Sequence, residues 1–306
     1  MRIIITGATG FIGKALCQEL TEAGYEVVAL TRNREAGVRI LGDKVKLAQW
    51  DGKTVKGRGD LANGAYAIVN LAGENISSGR WTEKRKKIIL ESRLNAGKAV
   101  VEAVKQAKEK PKVVVQASGI GYYGSLAEKI ADEEFPPGKG FLPELAQQWE
   151  LSTKAVELFG VRHIVIRSGI VLGKGGGAFP RLINPFRFFV GGRIGNGEQW
   201  FSWIPLKDEI RAIRFLIENE NLEGVFNLTA PEALKEKDFA AVLGKVMRRP
   251  SWFPVPGFVL RLLFGEMAQV ALLTGQRVTP KRLLAAGFDF LYPEAEIALR
   301  EILGKR

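Results

Sequence analysis

Residues 6–13 read TGATGFIG and place glycines at positions 7, 10 and 13. An apolar run precedes this G-x-x-G-x-x-G spacing, and apolar residues at helical spacing follow it. Gly7 then permits a tight turn, Gly10 leaves room for a pyrophosphate, and Gly13 lets the helix pack closely on the strand. Amide groups at the helix start face the phosphates. The alternative is a glycine turn without a ligand. The residues expected to hold a dinucleotide are Gly7, Thr9, Gly10, Phe11, Ile12 and Gly13.

Short β-branched runs alternate with helical stretches through the first half of the chain. A helix is predicted between the first two strands, ending at Gly24, and another over residues 82–108. Such alternation is typical of the α/β class, in which helices cover both faces of a parallel sheet. We therefore expect a Rossmann-type, doubly wound parallel sheet. The predicted strands are residues 2–6, 27–31, 45–48, 67–71, 113–117 and 163–167.

The pattern changes after Gly173, where residues 173–203 are rich in Gly, Phe, Trp and Arg. A helix at 207–218, a strand at 225–228 and a mainly helical tail from Lys235 are predicted after it. We expect a Rossmann domain at residues 1–172, its sheet completed by part of 204–230. Residues 173–306 are expected to form a smaller, mainly helical region on the substrate side.

The end of the second predicted strand discriminates between the two nicotinamide cofactors. An NAD site usually places Asp or Glu there for the ribose hydroxyls, whereas this chain has Thr31, Arg32, Asn33 and Arg34. Because arginine pairs with phosphate through two hydrogen bonds, the segment favours NADP, with NAD the less favoured cofactor. The alternative is a pair of solvated loop arginines. Asp51, after the third strand, is a candidate for contacting the adenine or else a turn aspartate.

Charge and cysteine content narrow the classes of partner. The net charge of +12 is spread along the chain, with one short cluster at residues 84–87, which argues against a dedicated nucleic-acid tail. The single cysteine, Cys17, excludes an intrachain disulfide and fits a reducing cytoplasm. No signal peptide is predicted at the N-terminus. We expect a cytoplasmic protein without a nucleic-acid partner.

Residues 253–273 are the best candidate in the sequence for a membrane-spanning segment. Two prolines interrupt it, and it contains Arg261 and Glu266, so it is not expected to span a membrane. A buried or amphipathic helix is predicted there instead.

Several motifs together resemble the extended short-chain dehydrogenase/reductase superfamily. The chain is similar to its atypical branch of epimerase family proteins, labelled NAD-dependent epimerase/dehydratase or nucleoside-diphosphate-sugar epimerase, which carry a C-terminal domain of unknown function. The resemblance covers nearly the whole chain. It rests on TGATGFIG (6–13), NLAGEN (70–75), SGIGYYG (118–124), Trp149-Glu150, RSGIVLGKGGG (167–177), GNGEQWFSW (195–203) and GQRVTPKRLLAAG within 273–287.

This resemblance implies a set of cofactor contacts and a class of partner. A small-molecule substrate is implied, anionic or a nucleotide-sugar, and a homodimer formed through central helices is compatible with it. The NADP contacts fall on Thr31, Arg32, Leu71, Ala72, Arg93 and Val171, with Gly73 in the same NLAG motif.

The superfamily's usual catalytic pair is missing from this chain. The superfamily needs a Tyr followed four residues later by a Lys, which lowers the pKa of the Tyr for proton exchange; none of the five tyrosines has such a Lys. Glu150 with Lys154 is the nearest equivalent: Glu150 is an acid or base if burial raises its pKa, or an i, i+4 partner of Lys154, the interpretation we favour. Ser118 and Tyr123 are the hydroxyls expected near a nicotinamide, the alternative being sheet-edge packing.

Aromatic residues are expected to shape the substrate side. Trp149, Trp200 and Trp203 are the candidates, and residues 173–203 are predicted to be a mobile loop that closes over an anionic, partly apolar substrate. Domain packing and a single-strand nucleic-acid platform are the alternatives. The lone His163 is not expected to be catalytic, and no metal site is predicted. Asp208 is predicted to cap a helix.

The sequence therefore predicts an NADP-dependent oxidoreductase or epimerase-like enzyme that lacks the standard Tyr-x-x-x-Lys pair. The alternative is a non-catalytic NADP(H)-binding regulator or redox sensor. A weaker alternative is a protein that binds an anionic surface, nucleic acid or membrane, with salt-sensitive affinity.

Overall fold

A computed structural model of the chain describes residues 1–55 and 59–305. Its strands and helices, in chain order, are β1 (Arg2–Thr6), α1 (Phe11–Glu22), β2 (Glu26–Thr31), α2 (Arg34–Leu41), β3 (Lys46–Gln49), β4 (Ala67–Asn70), α3 (Glu83–Gln106), β5 (Val113–Gly119), β6 (Ile130–Ala131), α4 (Phe141–Lys154), β7 (Arg162–Ser168), β8 (Ile170–Leu172), α5 (Phe179–Arg187), β9 (Trp200–Phe201), β10 (Trp203–Pro205), α6 (Leu206–Glu218), β11 (Gly224–Leu228), β12 (Leu234–Lys235), α7 (Glu236–Met247), α8 (Gly257–Phe264), β13 (Arg277–Val278), α9 (Lys281–Ala285) and α10 (Ala295–Leu303).

The central sheet has seven parallel strands in the order β11-β7-β5-β4-β1-β2-β3. This confirms the doubly wound α/β sheet, and each predicted strand lies within two residues of an observed one. Helices α1 and α6 pack together on one face, and α3 and α4 pack together on the other. The strand order reverses next to β1, which is where open α/β sheets form their ligand crevice.

The two faces of the sheet are buried because alternate residues of a strand point in opposite directions. Ile3 and Ile5 share one apolar cluster with Leu16 of α1. Ile4 belongs to a second cluster, with Val100 and other residues of α3. A strand that is apolar at successive positions therefore packs against helices on both sides.

The long helix α3 begins at a cap and has no break within it. The Thr82 side chain accepts a hydrogen bond from the Arg85 backbone N–H, which satisfies one of the free amides of the first turn. The helix continues to Gln106.

A second apolar cluster organises the region after Gly173. Phe179, Ile183 and Phe186 of α5 are buried there with Phe239 of α7 and Leu299 of α10. Residues 173–203 are predicted to be a mobile loop. Within them, residues 179–187 form a helix with a buried apolar face, as the alternative of packing predicts.

Asp208 is predicted to cap helix α6, but the structure does not place it at the cap. Pro205 occupies the capping position, and the fully buried Asp208 carboxylate accepts hydrogen bonds from the backbone N–H groups of Leu291 and Tyr292, both at 3.0 Å. Its ion pair with Arg211 is 3.1 Å long. Asp208 therefore fastens the C-terminal segment to α6.

In residues 1–55 and 59–305, no helix is both long and apolar enough to cross a membrane, and no three His, Cys, Asp or Glu side chains form a cluster that could hold a metal ion. His163 is buried on β7 with Thr153 Oγ1 2.9 Å from its Nε2 atom, and burial lowers its pKa.

Candidate active site

A cavity of about 440 Å³ opens at the carboxyl ends of β1, β4, β5 and β7. Helix α4 lines it with Leu142, Leu145, Ala146 and Trp149, and α3 and α6 each add one charged or acidic side chain. The predicted site residues that line this cavity are Gly7, Gly10, Phe11, Ile12, Gly13, Leu71, Arg93, Ser118, Trp149 and Val171. Those outside its lining are Thr9, Thr31, Arg32, Asp51, Ala72, Gly73, Tyr123, Glu150, Lys154, Trp200 and Trp203.

The glycine turn forms one wall of the cavity and tolerates no side chain at two positions. Gly7 has φ +67°, and a Cβ atom there would lie 2.6 Å from the Leu71 carbonyl oxygen. A Cβ atom on Gly13 would lie 2.3 Å from the Gly7 carbonyl oxygen. These approaches hold the start of α1 against the strand ends, so that the first amides of α1 face the cavity, as anion binding at a helix N-terminus requires.

Buried hydrogen bonds tie the strand ends together behind the turn. Thr6 Oγ1 donates to Asn70 Oδ1 at 2.6 Å and accepts from the Ala72 N–H at 3.1 Å. Asn70 Nδ2 donates to Gln116 Oε1 at 2.8 Å. The NLAG motif is thereby fixed to β1 and β5, which explains why the polar Asn70 sits at the end of an apolar strand.

The end of β2 carries Thr31, whose hydroxyl is hydrogen-bonded to the backbone, and the exposed side chain of Arg32. Thr31 Oγ1 donates to the Asn33 carbonyl, while Arg32 is exposed and has no hydrogen-bond or ion-pair partner in residues 1–55 and 59–305. Asp51 forms a turn, because its carboxylate accepts from the N–H groups of Lys53 and Thr54, both at 2.8 Å. These bonds lower the pKa of Asp51.

Three buried polar atoms in the cavity lining have no hydrogen-bond partner among the described residues: Arg93 Nε, Trp149 Nε1 and Glu209 Oε2. Arg93 donates through Nη1 to the carbonyls of Glu74 and Ile89, and its guanidinium lies 4.5 Å from the centre of the Trp149 ring. Burial lowers its pKa to about 10. Since unsatisfied buried polar atoms are rare, the lining fits a polar ligand.

Ser118 is the predicted hydroxyl that reaches the cavity, and Glu150 and Arg167 hold it in place. Its Oγ donates to Glu150 Oε1 at 2.7 Å. Arg167 binds the same carboxylate through two hydrogen bonds, Nε to Oε1 at 2.8 Å and Nη2 to Oε2 at 2.9 Å. The i, i+4 pair of Glu150 and Lys154, which the sequence analysis favours, is not formed.

Lys154 and Tyr123 do not line the cavity, although Tyr123 is expected near a nicotinamide and Lys154 beside Glu150. Lys154 is exposed and pairs with Glu157 at 2.6 Å, one turn further along the chain. Tyr123 is fully buried, its hydroxyl donating to Asn227 Oδ1 at 2.7 Å, and burial raises its pKa to about 12. Both side chains already have structural partners.

Two of the three tryptophans expected on the substrate side do not line the cavity. Trp203 is fully buried in the apolar cluster of α5, α7 and α10. The charged groups of Arg277 and Lys235 lie 4.4 Å and 4.5 Å from the centre of the Trp200 ring. Trp149 alone of the three lines the cavity.

A hydrogen-bonded pair of Ser168 and Glu209, which the sequence analysis does not single out, completes the cavity. Ser168 Oγ, at the end of β7, donates to Glu209 Oε1 at 2.5 Å, and Glu209 is fully buried. Burial raises the pKa of Glu209 to about 8 although the Ser168 hydroxyl opposes the shift. In the sequence, Glu209 stands out only as an acidic residue in the first turn of a predicted helix. Acidic residues are common there because they stabilise the helix dipole, so this position alone does not indicate a catalytic group.

The cavity combines an anion-binding helix start with two hydroxyls and one acid that keeps its proton at neutral pH. The hydroxyls are those of Ser118 and Ser168, and the acid is Glu209. The remaining lining on α4 is apolar, as expected of a small-molecule site with few polar groups. Such a set can bind a phosphate-bearing ligand and move a proton beside it.

Comparison with known proteins identifies related chains of similar length. Residues 3–229 match the NAD dependent epimerase/dehydratase family, and residues 255–302 match a domain of unknown function, DUF1731. The epimerase family protein YfhF of Bacillus subtilis is 39% identical over 100% of this chain and 99% of its own. The Arabidopsis thaliana homologue of SDR39U1, named as chloroplastic, is 39% identical over 99% of this chain and 87% of its own. The crystal structure of human SDR39U1 with NADPH aligns with a TM-score of 0.90 at 35% identity, covering 100% of both chains.

Proposed function

The chain belongs to the NAD dependent epimerase/dehydratase family, and from that premise we propose that it is an NADPH-dependent oxidoreductase or epimerase-like enzyme acting on a small molecule. One observation carries the proposal. The cavity beside the glycine turn has unpartnered buried polar atoms on Arg93, Trp149 and Glu209, which a bound ligand would satisfy.

The β2 end supports NADP over NAD. Arg32 is exposed there, without a partner in the described residues, and no acidic residue occupies positions 31–34 for the ribose hydroxyls. A guanidinium matches the geometry of a phosphate. The human relative that was solved with NADPH matches this chain over its full length. The residues proposed to hold the dinucleotide are Gly7, Thr9, Gly10, Phe11, Ile12, Gly13, Thr31, Arg32, Leu71, Ala72, Gly73, Arg93 and Val171.

The reaction would use groups other than a Tyr-Lys pair. The bound dinucleotide supplies hydride chemistry. Ser118 would contact the substrate, and the 2.7 Å hydrogen bond to Glu150 orients it. Glu209 holds a proton at neutral pH beside the Ser168 hydroxyl, so these two residues are the proposed proton reservoir. The substrate is proposed to be a small molecule, and the family description supports a sugar or nucleotide-sugar.

A second candidate function is a non-catalytic NADPH-binding regulator or redox sensor. Lys154 pairs with Glu157 on the surface, and Tyr123 is buried against Asn227. A protein that keeps the cofactor site but lacks the Tyr-Lys pair for proton transfer could act as a sensor of the bound cofactor.

Turnover separates these functions. We would follow loss of the absorbance of the reduced nicotinamide with a panel of carbonyl compounds and nucleotide-sugars, and follow epimer formation in the same mixtures. Ser118→Ala should lower turnover by about a hundredfold or more, as expected when a hydrogen bond to the reacting group is lost, and keep NADPH binding. Ser152→Ala, whose hydroxyl donates to the Trp149 carbonyl in the same helix, is the matched control. Tight NADPH binding without turnover of any compound would support the sensor.

A further inference from the structure

Exposed apolar side chains are concentrated on one part of the surface. Of the eighteen large apolar residues that are exposed among the described residues, eight lie in two short segments, 188–190 and 252–263. They include the aromatic rings of Trp252 and Phe258, which are 80% and 69% exposed. The others are Phe188, Phe189, Val190, Phe253, Leu262 and Leu263. Large apolar side chains that are exposed in such number within two short segments indicate an interaction surface.

Backbone and side-chain contacts join the two segments. The Phe253 N–H donates to the Gly191 carbonyl at 3.1 Å. The Arg249 guanidinium lies 4.1 Å from the centre of the Phe189 ring. Helix α8 follows directly, with Phe258 and Leu262 one turn apart and therefore on the same helix face. We call these eight apolar residues and their flanking arginines the apolar–basic surface.

Basic residues predominate in the two segments, and the nearest acidic residues border them at Glu198, Asp238 and Glu266. Residues 179–197 and 239–265 contain seven Lys and Arg and no Asp or Glu. Arg187, Arg248, Arg249 and Arg261 are exposed beside the apolar side chains. Exposed aromatic and aliphatic residues flanked by arginines are the composition of segments that insert into the interface of an anionic bilayer.

From this arrangement we propose that the apolar–basic surface docks the protein onto an anionic phospholipid membrane, with the Phe, Trp and Leu side chains inserted among the lipids and the arginines against the headgroups. A lipid bilayer suits both the basic and the apolar residues of the apolar–basic surface. Lipid phosphates attract the arginines, and the boundary of the acyl chains accepts the apolar side chains. A second copy of the chain fits less well, because a symmetric contact through this face would bring the same arginines close to one another.

Vesicle sedimentation tests the proposal with the full chain. We expect binding to phosphatidylcholine vesicles that contain phosphatidylglycerol, little binding to phosphatidylcholine alone, and weakening by added salt because salt screens exposed charges. The double variant Phe258→Glu with Leu262→Glu should bind the anionic vesicles at least about tenfold more weakly. Both side chains are exposed, so the thermal midpoint should stay near that of the parent.

The matched control is Leu151→Glu with Leu158→Glu, which alters two side chains that are 67% and 84% exposed elsewhere on the protein. It should bind vesicles like the parent. No binding to anionic vesicles, equal binding to uncharged vesicles, or equal loss in the control would overturn the proposal. So would light scattering that shows a dimer which the Phe258→Glu and Leu262→Glu variant dissociates, or displacement of the vesicles by single-stranded DNA.

Discussion

Glu209 has one hydrogen-bonded and one unpartnered carboxylate oxygen in the described structure. Its pKa of about 8, raised by burial, exceeds that of the unfolded chain, so the folded state holds the proton more tightly. The contribution of Glu209 to stability is therefore full below about pH 4.5 and is lost as the pH rises towards 8. Each pKa unit corresponds to about 1.4 kcal/mol. Glu209→Gln should flatten the fall in thermal midpoint across this window.

Glu236 offers the matched comparison for Glu209. Burial raises its pKa to about 7, and its carboxylate accepts from the Ile194 N–H at 2.8 Å, away from the cavity lining. Glu236→Gln should flatten the curve up to about pH 7 and leave the affinity for NADPH unchanged. A Glu209→Gln midpoint that depends on pH in the same way as the parent would contradict the assignment.

Glu150 is predicted to be structural as well as orienting. Its carboxylate is only 12% exposed and binds Arg167 through two hydrogen bonds. Glu150→Gln leaves the Arg167 charge buried without its partner, a change that typically costs about 3–5 kcal/mol. Urea unfolding should show that loss.

The exposed pair of Lys154 and Glu157 provides the control for Glu150. Glu157→Gln should cost less than about 1 kcal/mol, since exposed ion pairs contribute little. Reduced turnover in Glu150→Gln with unchanged stability would show instead that Glu150 acts in the chemistry alone.

For individual residues, the sequence predicts positions within a motif but not the hydrogen-bond partners that come from distant parts of the chain. The glycine positions and Ser118 were predicted, because a motif fixes them. Glu150 and Lys154 suggested a pair one helical turn apart, yet Arg167 on β7 binds Glu150 instead. Nothing in the local pattern shows which of two cations a folded chain brings closer.

At the scale of the element, the turn and helix α1 depend on Gly13. Alanine is ordinarily the better helix former, but a Cβ atom on Gly13 would lie 2.3 Å from the Gly7 carbonyl oxygen. Backbone cannot yield as a flexible side chain does, so Gly13→Ala should destabilise by about 1–3 kcal/mol and weaken NADPH binding.

Gly175→Ala is the matched substitution, because the nearest atom to its Cβ is 4.0 Å away on the Phe11 ring. It should leave both the thermal midpoint and NADPH binding close to those of the parent. Equal NADPH affinity in Gly13→Ala and the parent would mean that the cofactor does not use this turn.

The elements of the sheet were predictable because each strand is apolar at successive positions and each helix has a periodic apolar face. Helix α5 was not, since Pro185 lies within it and glycines precede it. Burial of Phe179, Ile183 and Phe186 by α7 and α10 stabilises it, and those partners come from a part of the chain fifty residues or more away.

At the scale of the whole molecule, folding concentrates charge that the sequence spreads out. The net charge of +12 gave no reason to single out one surface. The contact between residues 188–191 and 249–253 brings two acid-free segments together, and that contact depends on the tertiary fold.

The relative affinity of the site for NADPH and NADH decides whether it is an NADP site. Calorimetric titration should give NADPH a dissociation constant at least about tenfold below that of NADH, a difference of about 1.4 kcal/mol. Arg32→Ala should remove most of the preference. Arg39→Ala, an exposed arginine in the last turn of α2, should retain it. Equal affinities for the two cofactors, or an unchanged preference in Arg32→Ala, would contradict the assignment of NADP to this site.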